Sequence, residues 1–145
     1  MMRIGAGHSS ETFENMSILR TAALAASVLA ISAAPALAHP KLLSTAPAAN
    51  AAVAPTDKLT FHFSEELEGK FSGADVTATK MMMGNKMMAH TMKIEGVKAS
   101  VDPSDQRTMI VSLKSPLGPG TYKVDWHAVS TDTHRVAGTF VFSVK

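Results

Sequence analysis

Hydrophobic and polar residues alternate in several short segments of the second half of the chain. In Leu59–Ser64, apolar residues alternate with threonine, histidine and serine, and Tyr122–His127 repeats this period of two. Successive side chains of a β-strand point to opposite faces, so the period indicates strands with one buried face. Phe71–Thr79 alternates more weakly, whereas Thr108–Leu113 and Gly138–Val144 are rich in β-branched and apolar residues. These segments predict a β-rich domain.

Turn-forming residues separate these segments, as in Asp102–Asp105 and Ser115–Gly120. After position 38, no stretch of ten or more residues shows helical periodicity. Roughly seven short strands in about a hundred residues are typical of an immunoglobulin-like Greek-key β-sandwich or barrel. We therefore predict an all-β fold of this kind for residues 39–145, with Trp126 near the centre of a small aromatic core.

The first 38 residues predict a cleaved secretory signal. Arg20 precedes an uncharged, largely apolar stretch over residues 21–34, and Pro35–Ala38 has the small-x-small pattern of a cleavage site. The apolar stretch is short for a membrane span, and no stop-transfer pattern follows it. Met16 offers an alternative start, because the residues before it are polar. We expect a mature chain of residues 39–145 in the periplasm, without insertion into the membrane.

Composition excludes several classes of function. The chain has no cysteine, which rules out disulfides, thiol catalysis, zinc knuckles and a blue-copper thiolate site. The basic residues are scattered along the sequence and the formal net charge is only +2, so nothing favours a nucleic-acid partner. No nucleophile–base motif, phosphate-binding glycine loop or paired-carboxylate pattern indicates an enzyme.

Methionine is the unusual residue, with ten in the chain and six of them between positions 81 and 92. A core-filling role explains this run poorly, because Gly84 and Asn85 mark a turn, lysines flank it, and no regular period places every methionine on one face. Thioethers are soft donors that suit Cu(I). We predict a solvated loop that binds Cu(I), with His90 as a nitrogen donor. The spacing leaves open which thioethers bind among Met81, Met82, Met83, Met87, Met88 and Met92.

Cleavage after Ala38 would make His39 the first residue of the mature chain. Its α-amine and ring nitrogen can together chelate Cu(II), which prefers nitrogen and oxygen ligands in a tetragonal plane. Pro40 has no amide hydrogen to lose, so the other ligands must come from elsewhere in the fold. In an extended segment, Asp132 and His134 point to the same side and could complete the shell. The same residues also suit a plain turn, in which Asp132 caps backbone amides.

Taken together, these features resemble the periplasmic copper-resistance proteins of the CopC family, also called PcoC. The resemblance spans the predicted mature chain and rests on five segments, His39–Leu42, Phe61–Glu65, the methionine-rich run ending at Met92, Tyr122–Trp126 and Ser130–His134. It implies a small immunoglobulin-like Greek-key β-barrel. It also implies a Cu(II) site made of His39, Asp132, His134 and Glu65, and a Cu(I) site of several methionines with His90. The extra adjacent methionines depart from the family pattern.

The function that this resemblance implies is to sequester or carry copper in the periplasm and to pass it to an inner-membrane transporter of the CopD type or another resistance component. Two alternatives remain open. A histidine-brace copper oxygenase also starts with histidine, although this chain is short for one and a bound aspartate would occupy the position that oxygen needs. A sandwich that only contacts other proteins explains the strands but not the methionine run, His39 or the Asp132–His134 pair.

Overall fold

The computed structural model describes residues 39–145, so the predicted signal and its cleavage site lie outside the described residues. In this part of the chain, nine strands are present: β1 (Leu42–Ala46), β2 (Ala52–Val53), β3 (Lys58–Phe63), β4 (Gly73–Met83), β5 (Lys86–Lys93), β6 (Lys98–Asp102), β7 (Asp105–Ser112), β8 (Gly120–Val129) and β9 (Arg135–Val144). A 3₁₀ turn covers Gly69–Phe71. No helix within residues 39–145 is long and apolar enough to cross a membrane.

The strands form two sheets that enclose one apolar core. The first sheet has the order β1-β3-β7-β6 and is antiparallel throughout. The second has the order β2-β9-β8-β4-β5, in which only the short pair β2–β9 is parallel. The predicted all-β sandwich is therefore confirmed. Its strand number exceeds the predicted seven, partly because the methionine-rich run extends one sheet.

The alternation in the sequence explains which side chains fill the core. Leu59, Phe61 and Phe63 of β3 are buried, and every second residue of β8 from Gly120 to Ala128 is buried as well. The Trp126 ring lies 5.5 Å from that of Phe63. Trp126 belongs to the buried core, where its ring also lies 6.5 Å from that of Phe61, and it keeps 9% of its surface exposed.

The methionine-rich run is a β-hairpin, and its prediction as a loop is wrong. Met81–Met83 continue β4, Met87–Met92 belong to β5, and Gly84 turns the chain with a φ of 60°. The turn at Gly84 and Asn85 was predicted correctly. The sequence hides these strands because most of the hairpin is exposed on both faces, so neither face needs to be uniformly apolar.

Gly138 provides a test of the core packing. A Cβ atom at this position would lie 2.6 Å from Cζ2 and 2.9 Å from Cε2 of Trp126. Because the indole ring is rigid, Gly138→Ala should lower the free energy of unfolding by about 1–3 kcal/mol, as overpacked cores do. Urea unfolding followed by circular dichroism measures this change.

Gly118→Ala is the matched control, because an added Cβ there meets nothing within 4 Å. The control should change stability by no more than about 0.5 kcal/mol. Equal effects of the two substitutions would contradict the contact between Gly138 and the indole ring.

Candidate metal centre

The segment that carries His39 is fixed to the sandwich. Pro40 is buried, the Lys41 amide donates to Oγ of Ser64 at 2.9 Å, and the Ser64 amide donates to the Lys41 carbonyl at 2.9 Å. The exposed His39 ring lies edge-on to the ring of His134, with 4.9 Å between their centroids. Backbone bonds and a buried proline therefore bring together two imidazoles that are 95 positions apart in the sequence.

Asp132 and His134 meet through a tight turn. The Thr133 amide donates to the Ser130 carbonyl at 2.8 Å, and the Ser130 amide donates to the His134 carbonyl at 2.9 Å. Thr133 adopts a φ of 72°, so the segment is not the extended chain that the sequence predicted. The predicted convergence of the two side chains is present, but the left-handed backbone at Thr133 produces it.

The two carboxylate oxygens of Asp132 have different partners. Oδ1 accepts a hydrogen bond from the Ser130 hydroxyl, and Oδ2 lies 2.9 Å from Nδ1 of His134. The hydrogen bond from Ser130 lowers the pKa of Asp132 below its ordinary value, and His134 acts in the same direction. Asp132 can therefore both stabilise the turn and act as a ligand, because Oδ1 is used in the turn and Oδ2 faces His134.

Nδ1 of His134 is a buried nitrogen without a hydrogen-bond partner. It lies 2.9 Å from Oδ2 of Asp132, but the two atoms are not aligned for a hydrogen bond. Adjacent donors of a tetragonal site with bonds of about 2.0 Å lie roughly 2.8 Å apart. The pair therefore has the spacing of two metal ligands, and a cation between the lone pairs would satisfy the nitrogen that the protein leaves unpaired.

Glu65 is less directly connected to this group. Its neighbours hold the backbone there, since Ser64 binds the Lys41 segment and the Glu66 carbonyl accepts from the Thr131 amide at 3.0 Å. No described contact joins the Glu65 carboxylate to Asp132 or His134. Among residues 39–145, no three His, Asp or Glu side chains are grouped closely enough to hold a metal ion. A Cu(II) site that used His39, Asp132 and His134 together would therefore require the exposed His39 to approach the other two, besides supplying its amine as a further donor.

The methionines of the hairpin divide between its two faces. Met81 lies opposite Met88, and Met82 lies opposite Met87. Met81 packs against the core and lines a small cavity together with Tyr122, which identifies the side that continues the interior of the sandwich. By strand alternation and register, this core-side face carries Met81, Met83, Met88 and Met92, and the outer face carries Met82 and Met87.

His90 lies beside an irregularity in the hairpin. The pairing shifts between Ala78↔Met92 and Lys80↔Ala89, so two residues of β5 oppose one of β4 at this point. Such a bulge redirects side chains locally. His90 is half-buried, in contrast to the exposed residues on either side of it. The structure therefore keeps one imidazole close to the thioethers.

The two groups of candidate ligands lie at opposite ends of the sandwich. Gly120, the first residue of β8, pairs with Met81, whereas the turn that carries Asp132 and His134 follows Val129 at the end of the same strand. At about 3.3 Å per residue, the ten residues of β8 span roughly 30 Å. One copper ion cannot contact both groups.

Two supporting residues were not singled out from the sequence. Ser130, which is buried, orients Asp132, and Ser64 anchors the His39 segment. In the sequence, the only indication of these supporting roles was the turn-forming composition around Ser130. His62 is exposed as expected, but its Nδ1 lies 2.8 Å from the Thr108 hydroxyl, which in turn donates to Asp105 at 2.5 Å.

Comparisons with known proteins identify the family. The model of the CopC domain matches residues 42–145. Copper resistance protein C of Escherichia coli is 44% identical over 131 residues, which cover 90% of this chain and all of that protein. The chain belongs to the CopC family. Another relative, Copper resistance protein C of Pseudomonas syringae pv. tomato, is 46% identical over 110 residues, covering 74% of this chain and 82% of that protein.

A solved structure agrees with this assignment. The crystal structure of PcoC, a methionine-rich copper resistance protein from Escherichia coli, is 42% identical, covers 74% of this chain and all of that chain, and gives a TM-score of 0.63. The resemblance to the CopC family that the sequence indicated is thus confirmed, and this CopC-family chain is a copper resistance protein.

Ser130→Ala should raise the pKa of Asp132 toward its ordinary value, because it removes the main hydrogen bond to that carboxylate. A carboxyl whose pKa is lowered by folding stabilises the protein above the unfolded pKa, near 3.8, and the contribution is lost as pH falls through the folded pKa. The variant should therefore lose less stability than the parent between about pH 5 and pH 2.

The pKa of Asp132 can be followed through its carboxyl carbon by NMR, and the stability by urea unfolding. Ser115→Ala is the control, because Ser115 is exposed and no described bond joins it to a carboxylate. An Asp132 titration that is the same in Ser130→Ala and in the parent would show that the hydroxyl does not set this pKa.

Proposed function

We propose that this protein is exported to the periplasm, where it sequesters or carries copper as Cu(II) at one end and as Cu(I) at the other. The Cu(II) site consists of the α-amine and ring of His39, the ring of His134 and the carboxylate of Asp132, with Glu65 as an additional oxygen donor. The observation that carries this proposal is the unpaired buried Nδ1 of His134, which lies 2.9 Å from Oδ2 of Asp132 and beside the ring of His39.

The donors match the metal. Cu(II) prefers nitrogen and oxygen ligands in a tetragonal arrangement, and two imidazoles, one amine and one carboxylate supply such a set. The lowered pKa of Asp132 supports the carboxylate role, because the group stays charged in weak acid. Removal of the signal after Ala38 would create the amine, and the contacts of Pro40 and Lys41 would hold it in place.

For Cu(I), the proposal assigns the core-side face of the hairpin. Directly opposed residues of an antiparallel pair have Cβ atoms about 5 Å apart, and diagonal neighbours are within reach of long side chains. Met81, Met83 and Met88 satisfy these relations on one face, with Met92 and His90 farther along β5. Thioether donors in this number select Cu(I) over harder ions. The outer face offers only Met82 and Met87.

The separation of the two sites bears on how copper moves. With roughly 30 Å between them along β8, transfer from one site to the other requires release of the ion or a second molecule. Each site is open to solvent, since His39 and most of the hairpin are exposed. We infer that copper is exchanged with other proteins at each end, and an inner-membrane transporter of the CopD type is the proposed acceptor.

The two alternatives predict different experiments. A histidine-brace oxygenase would use the same amine and the two imidazoles, but Asp132 as a ligand would occupy the position that such an enzyme needs for oxygen. Cleavage of chitin or cellulose by the copper-loaded protein with a reductant and peroxide would support that enzyme instead. A module that only contacts proteins would bind neither Cu(II) nor Cu(I) in titrations.

Copper titration of two forms of the protein tests the Cu(II) site. The form that starts at His39 should bind one Cu(II). A form with one extra residue before His39 should bind Cu(II) at least about 100-fold more weakly, because the loss of a residue that only supports a ligand already lowers metal affinity by up to about 100-fold. The control is His127→Ala, which removes an imidazole from the face of β8 that points away from the core. This variant should retain full affinity for Cu(II). Equal affinities for the two starting residues would refute the amine ligand.

Paired methionine variants test the Cu(I) site under anaerobic conditions. Met83→Ser with Met88→Ser removes two thioethers of the core-side face and should weaken Cu(I) binding at least about tenfold in competition with a chromophoric chelator. Met82→Ser with Met87→Ser is the matched control, because all four side chains are 46–51% exposed. If the outer pair has the larger effect, the assignment of the core-side face is wrong.

A further inference from the structure

We propose that the end of the sandwich that carries the methionine hairpin binds an anionic phospholipid surface as a peripheral contact, without insertion of the chain. This end, called here the lysine end, comprises the hairpin, the starts of β3 and β6, the loop after β7 and the end of β9 with Lys145. The inference goes beyond copper binding and does not depend on it, because it rests on the distribution of charge and exposed apolar side chains.

The fold concentrates the positive charge at the lysine end. Lys58 and Lys98 both pair with Ser112 in the first sheet, and Lys114 lines one cavity with Met81 and another with Lys98. Lys145 follows Val144, which pairs with Gly120, so it lies at this end as well. The exposed lysines at this end are Lys58, Lys80, Lys86, Lys93, Lys98, Lys114 and Lys145. Its exposed carboxylates are Asp57, Asp75 and Glu95. Seven lysines against three carboxylates give the side chains of this end a charge of +4.

The opposite end has the reverse balance. The residues around the His39–His134 group carry four cations, Lys41, Lys70, Arg107 and Arg135. They also carry six carboxylates, Glu65, Glu66, Glu68, Asp102, Asp105 and Asp132. This end therefore has a charge of −2, and the remaining pair, Lys123 and Asp125, is joined by a salt bridge of 2.9 Å. The molecule therefore has one positive and one negative end. A negatively charged surface would attract the lysine end and orient that end toward itself.

Exposed apolar side chains lie among these lysines. On the outer face of the hairpin, Met82 and Met87 are 48% and 47% exposed, and the neighbouring Lys80 is exposed as well. Peripheral membrane segments combine exposed apolar side chains with lysines, since apolar contact adds to attraction by anionic headgroups. In this proposal the outer methionines face the lipid, and the core-side methionines remain free for copper.

The arrangement of the lysines favours a lipid surface over an acidic protein. They come from both sheets and from the loop after β7, so they surround the end of the sandwich and do not line one groove. A plane of headgroups can meet all of them at once, whereas a protein partner is recognised through a few packed anchor residues. Within residues 39–145, Lys93 is the only one of these lysines that forms a salt bridge, at 3.0 Å to Asp75.

Co-sedimentation of the metal-free protein with vesicles tests the proposal. The protein should bind phosphatidylcholine vesicles that contain phosphatidylglycerol, fail to bind vesicles of phosphatidylcholine alone, and dissociate at high salt. The triple variant Lys86→Gln, Lys98→Gln, Lys114→Gln should bind about 100-fold more weakly, at roughly fivefold per lysine near an anionic surface. Circular dichroism checks that the variant is folded.

A second triple variant, Lys70→Gln, Arg107→Gln, Arg135→Gln, removes the same charge from the opposite end and should bind the anionic vesicles as well as the parent. If both triple variants lose binding equally, net charge and not this end is responsible, and the proposal is wrong. Absence of binding to the anionic vesicles would also overturn it and leave an acidic protein surface as the partner. Neither result would affect the copper titrations, which are made without lipid.

Discussion

The pairing of β8 with β4 and β9 is the constraint on which both candidate copper sites depend. The β8–β9 ladder runs without interruption from Gly120↔Val144 to Val129↔Arg135, whereas the β4–β8 ladder shifts between Ala78 and Lys80. Tyr122, Val124 and Trp126 of β8 point into the core. A shift of one residue in this register would turn that apolar set toward solvent, so the core itself fixes the alignment. Because this pairing fixes both ends of β8, it also fixes the hairpin, which extends from β4 beside Gly120, and the turn that follows Val129.

Placing the donors at the two ends separates them by chemical type. Imidazole and carboxylate groups meet at the end of β8 that leads into β9, and thioethers meet where β4 extends beyond the sheet as a hairpin. Roughly 30 Å of β8 lies between the carboxylate-containing group and the thioethers, so the two groups of candidate donors are independent. The charged side chains are divided between the same two ends. Lysines predominate around the thioethers, and carboxylates predominate around His39 and His134. A protein built in this way can present each end to a different partner.

The turn at Ser130–His134 shows how a structural motif and a binding site can use the same residue. Asp132 stabilises the turn through Oδ1, which accepts from Ser130, and directs Oδ2 at the unpaired Nδ1 of His134. A buried nitrogen without a partner is unfavourable unless something else occupies the space beside it. The turn therefore holds Oδ2 of Asp132 and Nδ1 of His134 2.9 Å apart, which is the spacing on which the proposed Cu(II) site rests. The left-handed conformation of Thr133 is the local strain that this geometry requires.

The sequence by itself determined the all-β fold, the family and the residue types available to copper, because alternation along β3 and β8 and a run of six methionines are local patterns that need no knowledge of the fold. It did not reveal the hairpin, since strands that protrude from a core need no apolar face. Only the tertiary structure brought His39 to His134 and divided the methionines between two faces. The polarity of charge was also invisible along the chain, where lysines are scattered. It arises because strands that run in opposite directions return distant residues to the same end.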